Sequence, residues 1–349
     1  MYSINKQYVD NNEYTFIDIE QQNIRVKFMD YGATIMNIVV PDVNGKMETV
    51  VMAYDSLKSY INNDMYLNAI IGPTSGRIAD GKFKIDNTDY ELDTNAEGTE
   101  NLHGGKESFA FKFFSYEIED NSEYTKVIFT IKKSKENSNY PGNQTVKIIY
   151  TVREEELQIE FTASTDEDAL MNLTNHAYFN LSGDMKYDIL DHELYVDSEQ
   201  HLDLNEFHIP SKVAQNKNTI FDFSSFKKIK NNFPSNVYSL ISKGIDEPFL
   251  LTHKSFDHLK IHLKDSISGR ELKVYTNYPC AVIYTHNFPN ELELLFKAPN
   301  KRHMGICFET QLVPNGINLE GFDKGILRKN NLYNYKTLFK FVVGEDLKC

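Results

Sequence analysis

One titratable side chain, His176, stands among amides, aromatic rings and leucines in a segment that reads NLTNHAYFNL. Buried polar groups need hydrogen-bond partners, so such a patch predicts either an internal network or a polar ligand. Tyr178 and Phe179 add flat faces, and the chain has no Trp that could serve as a stacking platform instead. Amides beside aromatic faces suit a sugar, because its hydroxyls hydrogen-bond while its C–H face stacks. A core histidine and a histidine kept for chemistry are both open at this point.

A glutamate, Glu309, lies in the middle of a predicted strand in the segment CFETQLVPNGIN. Burial of a carboxylate costs free energy unless the group is paired or used. Desolvation would raise the pKa of Glu309 toward the range that suits a general base. The alternative is a glutamate that points outward from an edge strand.

Two shorter segments hold further candidates. In ENLHGG, His103 precedes two glycines, which allow a close approach of the backbone but which also simply make turns. In GIDEPFLL, Asp246 stands at a turn ahead of an extended run. Taken alone, that aspartate is an ordinary turn residue.

Other patterns argue against phosphate and metal chemistry. GRIADGK nearly spells a phosphate-binding loop, but Phe83 follows the lysine and the next residues predict a hairpin instead of the required helix. His258 and His262 lie four residues apart on an alternating strand, which predicts an exposed face and not a metal site. The three cysteines, Cys280, Cys307 and Cys349, form no CxxC pair. We therefore expect no metal ion.

The elements that must position these residues are strands. Apolar residues alternate with polar ones in TVKIIYTV, ELQIEF, HLKIHLK and ELKVYT, and turn clusters such as PDVNGK and NSNYPGNQ separate such runs. Helical patterns are scarce: DSLKSYIN near residue 55 and FSSFKKIK near residue 223 each predict a short helix. The sequence predicts an all-β protein, a single domain over residues 1–349 that forms one large antiparallel β-sandwich.

Charge and the terminal segment limit the function classes. The net charge of −13 disfavours nucleic acid and anionic membranes as partners, because both need a positive face. The first residues lack the pattern of a secretory signal, and no apolar run reaches eighteen residues. We expect a cytoplasmic protein that handles a neutral small molecule.

Six segments in order resemble the aldose 1-epimerase (galactose mutarotase) family. They read LHGG, NLTNHAYFNLSG, DHELYVDSEQHLDLNEFHIPSKV, IDEPF, ELKVYTNYPCAVIYTHNF and ETQLVPNGIN. The resemblance runs from about residue 10 to the end of the chain. It implies a large β-sandwich, in agreement with the strand pattern.

The resemblance also implies a reaction and its catalytic residues. Such enzymes interconvert the α and β anomers of a free aldohexose such as galactose or glucose. By similarity, Glu309 is the base that takes the proton of the C1 hydroxyl, and His176 is the acid that protonates the ring oxygen. The ring opens, the aldehyde rotates about C1–C2, and reclosure reverses the proton roles, so no cofactor is required. A carboxylate and an imidazolium are a suitable pair for this at neutral pH.

The family pattern further implies that Arg77, His103 and Asp246 contact the sugar, and Tyr178 joins them as a candidate aromatic contact. Where the family often has GRxANRI, this chain has GPTSGRI, which puts Pro73 and Gly76 at two positions that differ. Ile283 is expected near the site in place of a glutamine, and phenylalanines follow LHGG in place of a tryptophan. These departures bear on sugar preference.

We expect a monomer or homodimer.

Three alternatives stay open. A sugar-binding or regulatory protein on the same fold would not need both an acid and a base. A hexose-6-phosphate 1-epimerase would need a cluster of arginines, and the sequence shows none. A glycosidase would need two carboxylates around the glycosidic bond, and only Glu309 stands out as a buried candidate.

Overall fold

The computed structural model describes residues 1–96, 99–233 and 241–344, so that Cys349 lies outside the described residues. Strands are numbered β1–β28 along the chain, and every strand pair described below is antiparallel. The largest sheet has nine strands, in the spatial order β11 (Ser115–Asp120), β12 (Thr125–Lys133), β13 (Gln144–Arg153), β14 (Glu156–Thr165), β28 (Tyr333–Val343), β24 (Arg270–Thr276), β23 (Ile261–Lys264), β18 (Glu193–Val196) and β21 (Lys227–Lys228).

Two other large sheets complete the architecture. A six-stranded sheet has the order β17 (Tyr178–Phe179), β26 (Ile306–Gln311), β25 (Cys280–Tyr284), β22 (Asp246–Leu251), β19 (Ser198–Leu204) and β20 (Pro210–Gln215). A five-stranded meander has the order β1 (Tyr2–Val9), β2 (Asn12–Glu20), β3 (Arg25–Met29), β4 (Thr34–Pro41) and β5 (Met47–Thr49).

Among the described residues, four two-stranded ribbons accompany these sheets. They pair β6 (Ile70–Ile71) with β16 (Thr174–Asn175), β7 (Arg77–Ile78) with β10 (Asn101–Leu102), β8 (Lys82–Ile85) with β9 (Thr88–Glu91), and β15 (Ala169–Leu170) with β27 (Ile326–Leu327). The β8–β9 hairpin confirms that the segment after GRIADGK does not form the helix that a phosphate-binding loop needs.

The nine-stranded sheet packs against both other sheets. The Phe28 ring of β3 lies 4.5 Å from that of Tyr150 in β13, and the Phe179 ring of β17 lies 5.0 Å from that of Phe339 in β28 (centroid distances). One hydrophobic core contains buried residues of all three sheets. The predicted all-β sandwich is confirmed, and the single domain over residues 1–349 stays a prediction.

The alternating runs behave as predicted in two strands and less well in a third. In β13 and β14 the apolar face is buried throughout. In HLKIHLK, however, Lys260 and His262 are buried, which contradicts the exposed face predicted for that run. The ammonium group of Lys260 donates to the backbone oxygen of Ser255 at 2.6 Å, and His262 Nε2 lies 2.7 Å from a carboxylate oxygen of Glu271. Local partners thus compensate the burial of both groups.

Helices are short, as predicted. Helix α1 (Leu57–Asn62) is capped by Ser56, whose hydroxyl accepts from the backbone N–H of Ser59. Helix α2 spans only Ile229–Asn232, because Lys227 and Lys228 pair with β18 at the edge of the nine-stranded sheet. The helix predicted near residue 223 is therefore wrong for most of its length. Within the described residues, no helix is both long and apolar enough to cross a membrane.

Candidate active site

The floor of the candidate site is one face of the six-stranded sheet. On three neighbouring strands, β22, β25 and β26, alternate residues line a cavity; they are Asp246 and Pro248, Val282 and Tyr284, and Glu309 and Gln311. Residues between them point to the other face, since successive strand side chains alternate. Register fixes this row, because Val282 pairs with Pro248 on one side and with Glu309 on the other.

Two of the ribbons carry the histidines and the arginine to this floor. In the β7–β10 ribbon, Leu102 pairs with Arg77, which places His103 beside that arginine. The β6–β16 ribbon ends directly before His176. The backbone of His176 is then held on both sides, because its N–H donates to Ala69 and its carbonyl accepts from Asn68, each at 3.0 Å.

The resulting cavity has a volume of about 380 Å³. Its lining contains all six residues predicted from the sequence, although they are spread over more than two hundred positions of the chain. These are Arg77, His103, His176, Tyr178, Asp246 and Glu309.

The predicted acid and base touch within this cavity. Nε2 of His176 lies 3.4 Å from Oε1 of Glu309, and both side chains are more than nine-tenths buried. The second carboxylate oxygen of Glu309 accepts from Nε2 of Gln311 at 3.5 Å. Glu309 is not the outward-pointing glutamate of the alternative interpretation.

Burial disfavours charge on both partners. It is the main cause that raises the pKa of Glu309 well above its usual value; the carboxylate of Asp246 adds to the rise and the Arg77 guanidinium opposes it. Burial also lowers the pKa of His176 to about 4. The free site therefore favours a neutral carboxyl beside a neutral imidazole over the charged pair expected from the sequence. The two arrangements hold the same number of protons and differ by one proton shift across 3.4 Å.

His103 is held in the cavity wall by its backbone. It adopts a positive φ of 52°, and its Nδ1 accepts from the backbone N–H of Gly76 at 3.2 Å. The following Gly104 has a φ of 87°, and a Cβ there would lie 2.4 Å from the carbonyl oxygen of Gly72. The first glycine of LHGG is thus required for the close approach of the backbone at Gly104 to the backbone at Gly72.

Asp246 and Tyr178 occupy different depths. Oδ2 of Asp246 lies 3.5 Å from Nδ1 of His208, a residue in the loop between β19 and β20. Tyr178 stacks on His176 with a centroid distance of 5.0 Å, and its hydroxyl donates to the backbone oxygen of Met65 at 2.9 Å. Tyr178 therefore packs against one face of the His176 ring, and its hydroxyl group is used in a hydrogen bond to the backbone.

The asparagines around His176 form an internal network. Asn175 donates to the backbone oxygen of Asn68 at 3.1 Å, and Asn180 donates to the backbone oxygens of Tyr187 and Met304 at 2.7 and 2.8 Å. The sequence motif predicted either an internal network or a polar ligand. The amides form the internal network that holds the backbone in place, and the imidazole faces the cavity.

Three positions that depart from the family pattern behave differently. Ile283 was expected near the site, but it is fully buried in the hydrophobic core on the opposite face of β25, and Val282 takes the place beside Glu309. Gly76 does line the cavity, whereas Pro73 is not among its lining residues. Gly76 has a φ of 68°, and a Cβ on it would lie 2.6 Å from the Pro314 side chain.

Sequence reasoning missed several residues of the lining. Tyr66 packs edge-on against His103 with a centroid distance of 4.7 Å, and Phe288 is exposed at the cavity wall. His208 and Gln311 were missed as well. Gln311 belongs to the quoted ETQ segment, and strand alternation would have placed it on the face of Glu309. Phe288 ends the quoted segment ELKVYTNYPCAVIYTHNF, whereas nothing in the surroundings of Tyr66 in the sequence signals a site.

Two groups of side chains among the described residues could hold a metal ion. The first is His103, His176 and Glu309 within the cavity, and the second is Asp197, His253 and His258 on the surface. In the second group the two imidazole rings stack with centroids 3.7 Å apart. Ring nitrogens that bind one ion must point toward it, so these stacked rings would have to tilt before both could bind.

Fold and site together define a β-sandwich protein that holds a histidine and a glutamate side by side in one cavity. A family model described as aldose 1-epimerase matches residues 15–340. Human galactose mutarotase is 32% identical over 331 residues, which cover 93% of each chain. The aldose 1-epimerase of Escherichia coli K12 is 28% identical over 323 residues, which cover 91% of this chain and 92% of that protein. The chain belongs to the aldose 1-epimerase family.

Solved structures agree on the fold. The galactose 1-epimerase of Lactobacillus acidophilus NCFM superposes with a TM-score of 0.86 at 25% identity, and the match covers 99% of both chains. An aldose epimerase homologue from C. elegans also gives a TM-score of 0.86, at 24% identity, covering 95% of this chain and 99% of that one.

Proposed function

We propose that this protein interconverts the α and β anomers of a free aldohexose, galactose or glucose, with Glu309 as general base and His176 as general acid. The observation that carries the proposal is the 3.4 Å contact between His176 Nε2 and Glu309 Oε1 at the floor of the cavity. An acid and a base this close suit two oxygen atoms on one carbon, as in the anomeric centre. Family membership supports the same reaction.

The steps follow from the proton count of the pair. Glu309, as carboxylate, takes the proton of the C1 hydroxyl, and that O–H electron pair forms the carbonyl bond. The bond from C1 to the ring oxygen breaks, and its electron pair stays on the oxygen, which takes the Nε2 proton of His176. The pair is then neutral, which is the arrangement that burial favours. Rotation about C1–C2 and the reverse transfers close the ring as the other anomer.

Arg77, His103 and Asp246 are proposed to bind the sugar hydroxyls. A guanidinium and a carboxylate form directional hydrogen bonds, which discriminate between hydroxyl configurations. Tyr178 acts through His176, on which it stacks. The proposed substrate needs no phosphate site, and in the part of the chain that the structure describes Arg77 is the only arginine or lysine in the cavity lining. This disfavours a hexose 6-phosphate as substrate.

Polarimetry tests the proposal. Fresh α-galactose and α-glucose are followed separately, with and without enzyme, beside Glu309→Gln and His176→Asn. We expect the protein to speed the approach to equilibrium, and each variant to lose roughly 10²–10⁴-fold in kcat, the usual contribution of a positioned acid or base. Glu107→Gln, a carboxamide substitution outside the cavity lining, serves as control for Glu309→Gln.

No acceleration with either sugar would refute the proposed reaction, and variants as active as the parent would refute the residue assignment. Retained sugar binding without turnover in the parent protein would instead favour a non-catalytic sugar-binding protein. The cytoplasmic location and the monomer or homodimer state stay predictions.

A further inference from the structure

The imidazole of His176 has a second neighbour on the side away from Glu309. Sγ of Cys307 lies 3.5 Å from Nδ1 of His176, and both side chains are buried. Cys307 is two residues before Glu309 in β26, so both side chains point to the same face of the sheet. The backbone of Cys307 pairs with Tyr178 on one side and with Tyr284 on the other. The sulfur is therefore fixed in place.

The two ring nitrogens of His176 thus face chemically different partners. Nε2 faces the carboxyl of Glu309, and it is the nitrogen that gives its proton to the ring oxygen in ring opening and takes it back in ring closure. Nδ1 faces the sulfur. When His176 has given its Nε2 proton to the ring oxygen, the imidazole can take a proton back at Nε2 only if its remaining proton sits on Nδ1. A partner that accepts from Nδ1–H therefore keeps the exchange at one nitrogen.

We propose that Cys307 is a positioning residue that accepts the Nδ1–H of His176 on its sulfur and so confines proton exchange to Nε2. This inference rests on the proposed acid role of His176. The thiol suits the task because it carries no charge: burial raises the pKa of Cys307 well above its usual value, and the carboxylates of Glu309 and Asp246 add to the rise. A carboxylate at the same place would stabilise the imidazolium and weaken His176 as an acid.

The second histidine of the cavity has the opposite arrangement. Nδ1 of His103 accepts from the backbone N–H of Gly76 at 3.2 Å, so its ring proton sits on Nε2. His103 is thereby fixed as a hydrogen-bond donor toward the cavity, and His176 as the residue that exchanges a proton there. The two rings lie 5.4 Å apart between centroids, and they are expected to be opposite tautomers.

Long-range proton–nitrogen NMR on protein labelled with ¹⁵N-histidine reads both tautomers directly. His176→Asn and His103→Asn assign the signals. In the ligand-free protein at pH 7 we expect an Nδ1–H signal for His176 and an Nε2–H signal for His103. Cys307→Val, which removes the acceptor at similar volume, should shift His176 toward Nε2–H. Cys307→Ser, which keeps an acceptor, should preserve Nδ1–H.

Kinetics on the same variants separate positioning from packing. Cys307→Val should lower kcat at least about 10-fold, a fraction of what a positioned acid contributes, with KM changed less than about 3-fold. Cys307→Ser should restore most of kcat. Cys280→Val is the matched control, because Cys280 is also fully buried, lies on the neighbouring strand β25 and does not line the cavity. Cys307→Ala provides the same readouts if valine prevents folding.

An Nε2–H signal for His176 in the unaltered protein would overturn the inference, as would a tautomer that does not respond to Cys307→Val. Equal losses of kcat in Cys307→Val and Cys280→Val would overturn it too. If His176→Asn keeps full mutarotation while Cys307→Val still shifts the tautomer, the acid role of His176 fails and the tautomer assignment stands.

Discussion

Asp246 and His208 meet across the wall of the cavity, with Oδ2 of the carboxylate 3.5 Å from Nδ1 of the imidazole. Asp246 begins strand β22 of the floor, whereas His208 lies in the loop that joins β19 to β20. The contact therefore ties a loop to the sheet at the place where a sugar hydroxyl is proposed to bind. We infer that His208 orients the Asp246 carboxylate.

His208→Gln should consequently weaken substrate binding and leave the chemical step almost intact. We expect KM to rise by about 2- to 5-fold, the usual worth of one weak contact between charged or polar side chains, with little change in kcat. Initial rates from polarimetry over a range of sugar concentrations measure both constants. Glu206→Gln, an exposed residue of the same loop, is the control and should change neither. A drop in kcat at constant KM would contradict the orienting role.

The pH dependence of kcat/KM should report the shared proton of His176 and Glu309. Because burial lowers the pKa of His176 to about 4, the acid limb should lie well below 6.5, where the pair takes up a second proton and no carboxylate is left to act as base. On the alkaline side the activity should fall when the pair loses its one proton. Polarimetry from pH 4 to pH 9, with the uncatalysed rate subtracted, gives the profile. An acid limb centred near 6.5 would show that His176 is not desolvated as described.

Glu247 should make the folded state less stable as the pH rises. It is buried on the face opposite Asp246, and burial raises its pKa to about 8, against about 4.5 in an unfolded chain. Between these values the folded state holds a proton that the unfolded state has released, so the free energy of unfolding decreases with pH. Glu247→Gln removes this dependence, because a carboxamide does not titrate. Its amide oxygen can still accept from the backbone N–H of Asp246, which in the parent protein donates to the Glu247 carboxylate at 2.7 Å.

Urea unfolding at pH 5 and pH 8 measures the effect. Relative to the parent, Glu247→Gln should gain about 3–4 kcal/mol more at pH 8 than at pH 5. Glu199→Gln, an exposed position on β19, should show no such pH-dependent gain. Equal gains at both pH values for Glu247→Gln would mean that its carboxyl is not protonated in the folded protein.

Gly76 should tolerate no side chain, for two separable reasons. Its φ of 68° strains any L-residue, and a Cβ would lie 2.6 Å from the Pro314 ring. Gly45 has a φ of 79° with nothing within 4 Å, so Gly45→Ala isolates the backbone cost of roughly 1–2 kcal/mol. Gly76→Ala should lose more stability than Gly45→Ala in thermal unfolding. It should also raise KM, because the backbone N–H of residue 76, which donates to Nδ1 of His103, would shift. Equal losses would show that Pro314 moves aside.

The sequence was most informative where a local rule acts. Alternation predicted β13 and β14. The order of the quoted motifs predicted that six side chains from distant segments belong to one site, and all six line one cavity. Alternation failed at Lys260 and His262, which it placed in solvent. Both are buried, and partners five and nine residues away, Ser255 and Glu271, compensate that burial. The misplacement of Ile283 is a slip of one residue, which on a strand exchanges the cavity face for the core face.

Other site residues were not singled out along the chain, although His208 and Cys307 lie in quoted segments. Tyr66 and His208 reach the cavity only because separate loops fold over the sheet. The thiol of Cys307 was noted only as a member of an unpaired set of cysteines, and its contact with His176 depends on the pairing of β17 with β26. Protonation was predicted only in part. A raised pKa of Glu309 was expected, whereas the lowered pKa of His176 results from burial that only the packed structure shows.

The sheet that carries Glu309 also sets a fixed length scale. Strands β22 and β26 are separated by one strand, so their backbones are about 10 Å apart, and no loop movement alters that spacing. Glu309 and Asp246 are thus held at a fixed separation by the sheet, whereas Arg77, His103 and His208 lie on ribbons and turns. A change in the preferred sugar can therefore arise by exchanging turns around an unchanged reaction centre, which makes this protein a suitable starting point for redesigned sugar selectivity.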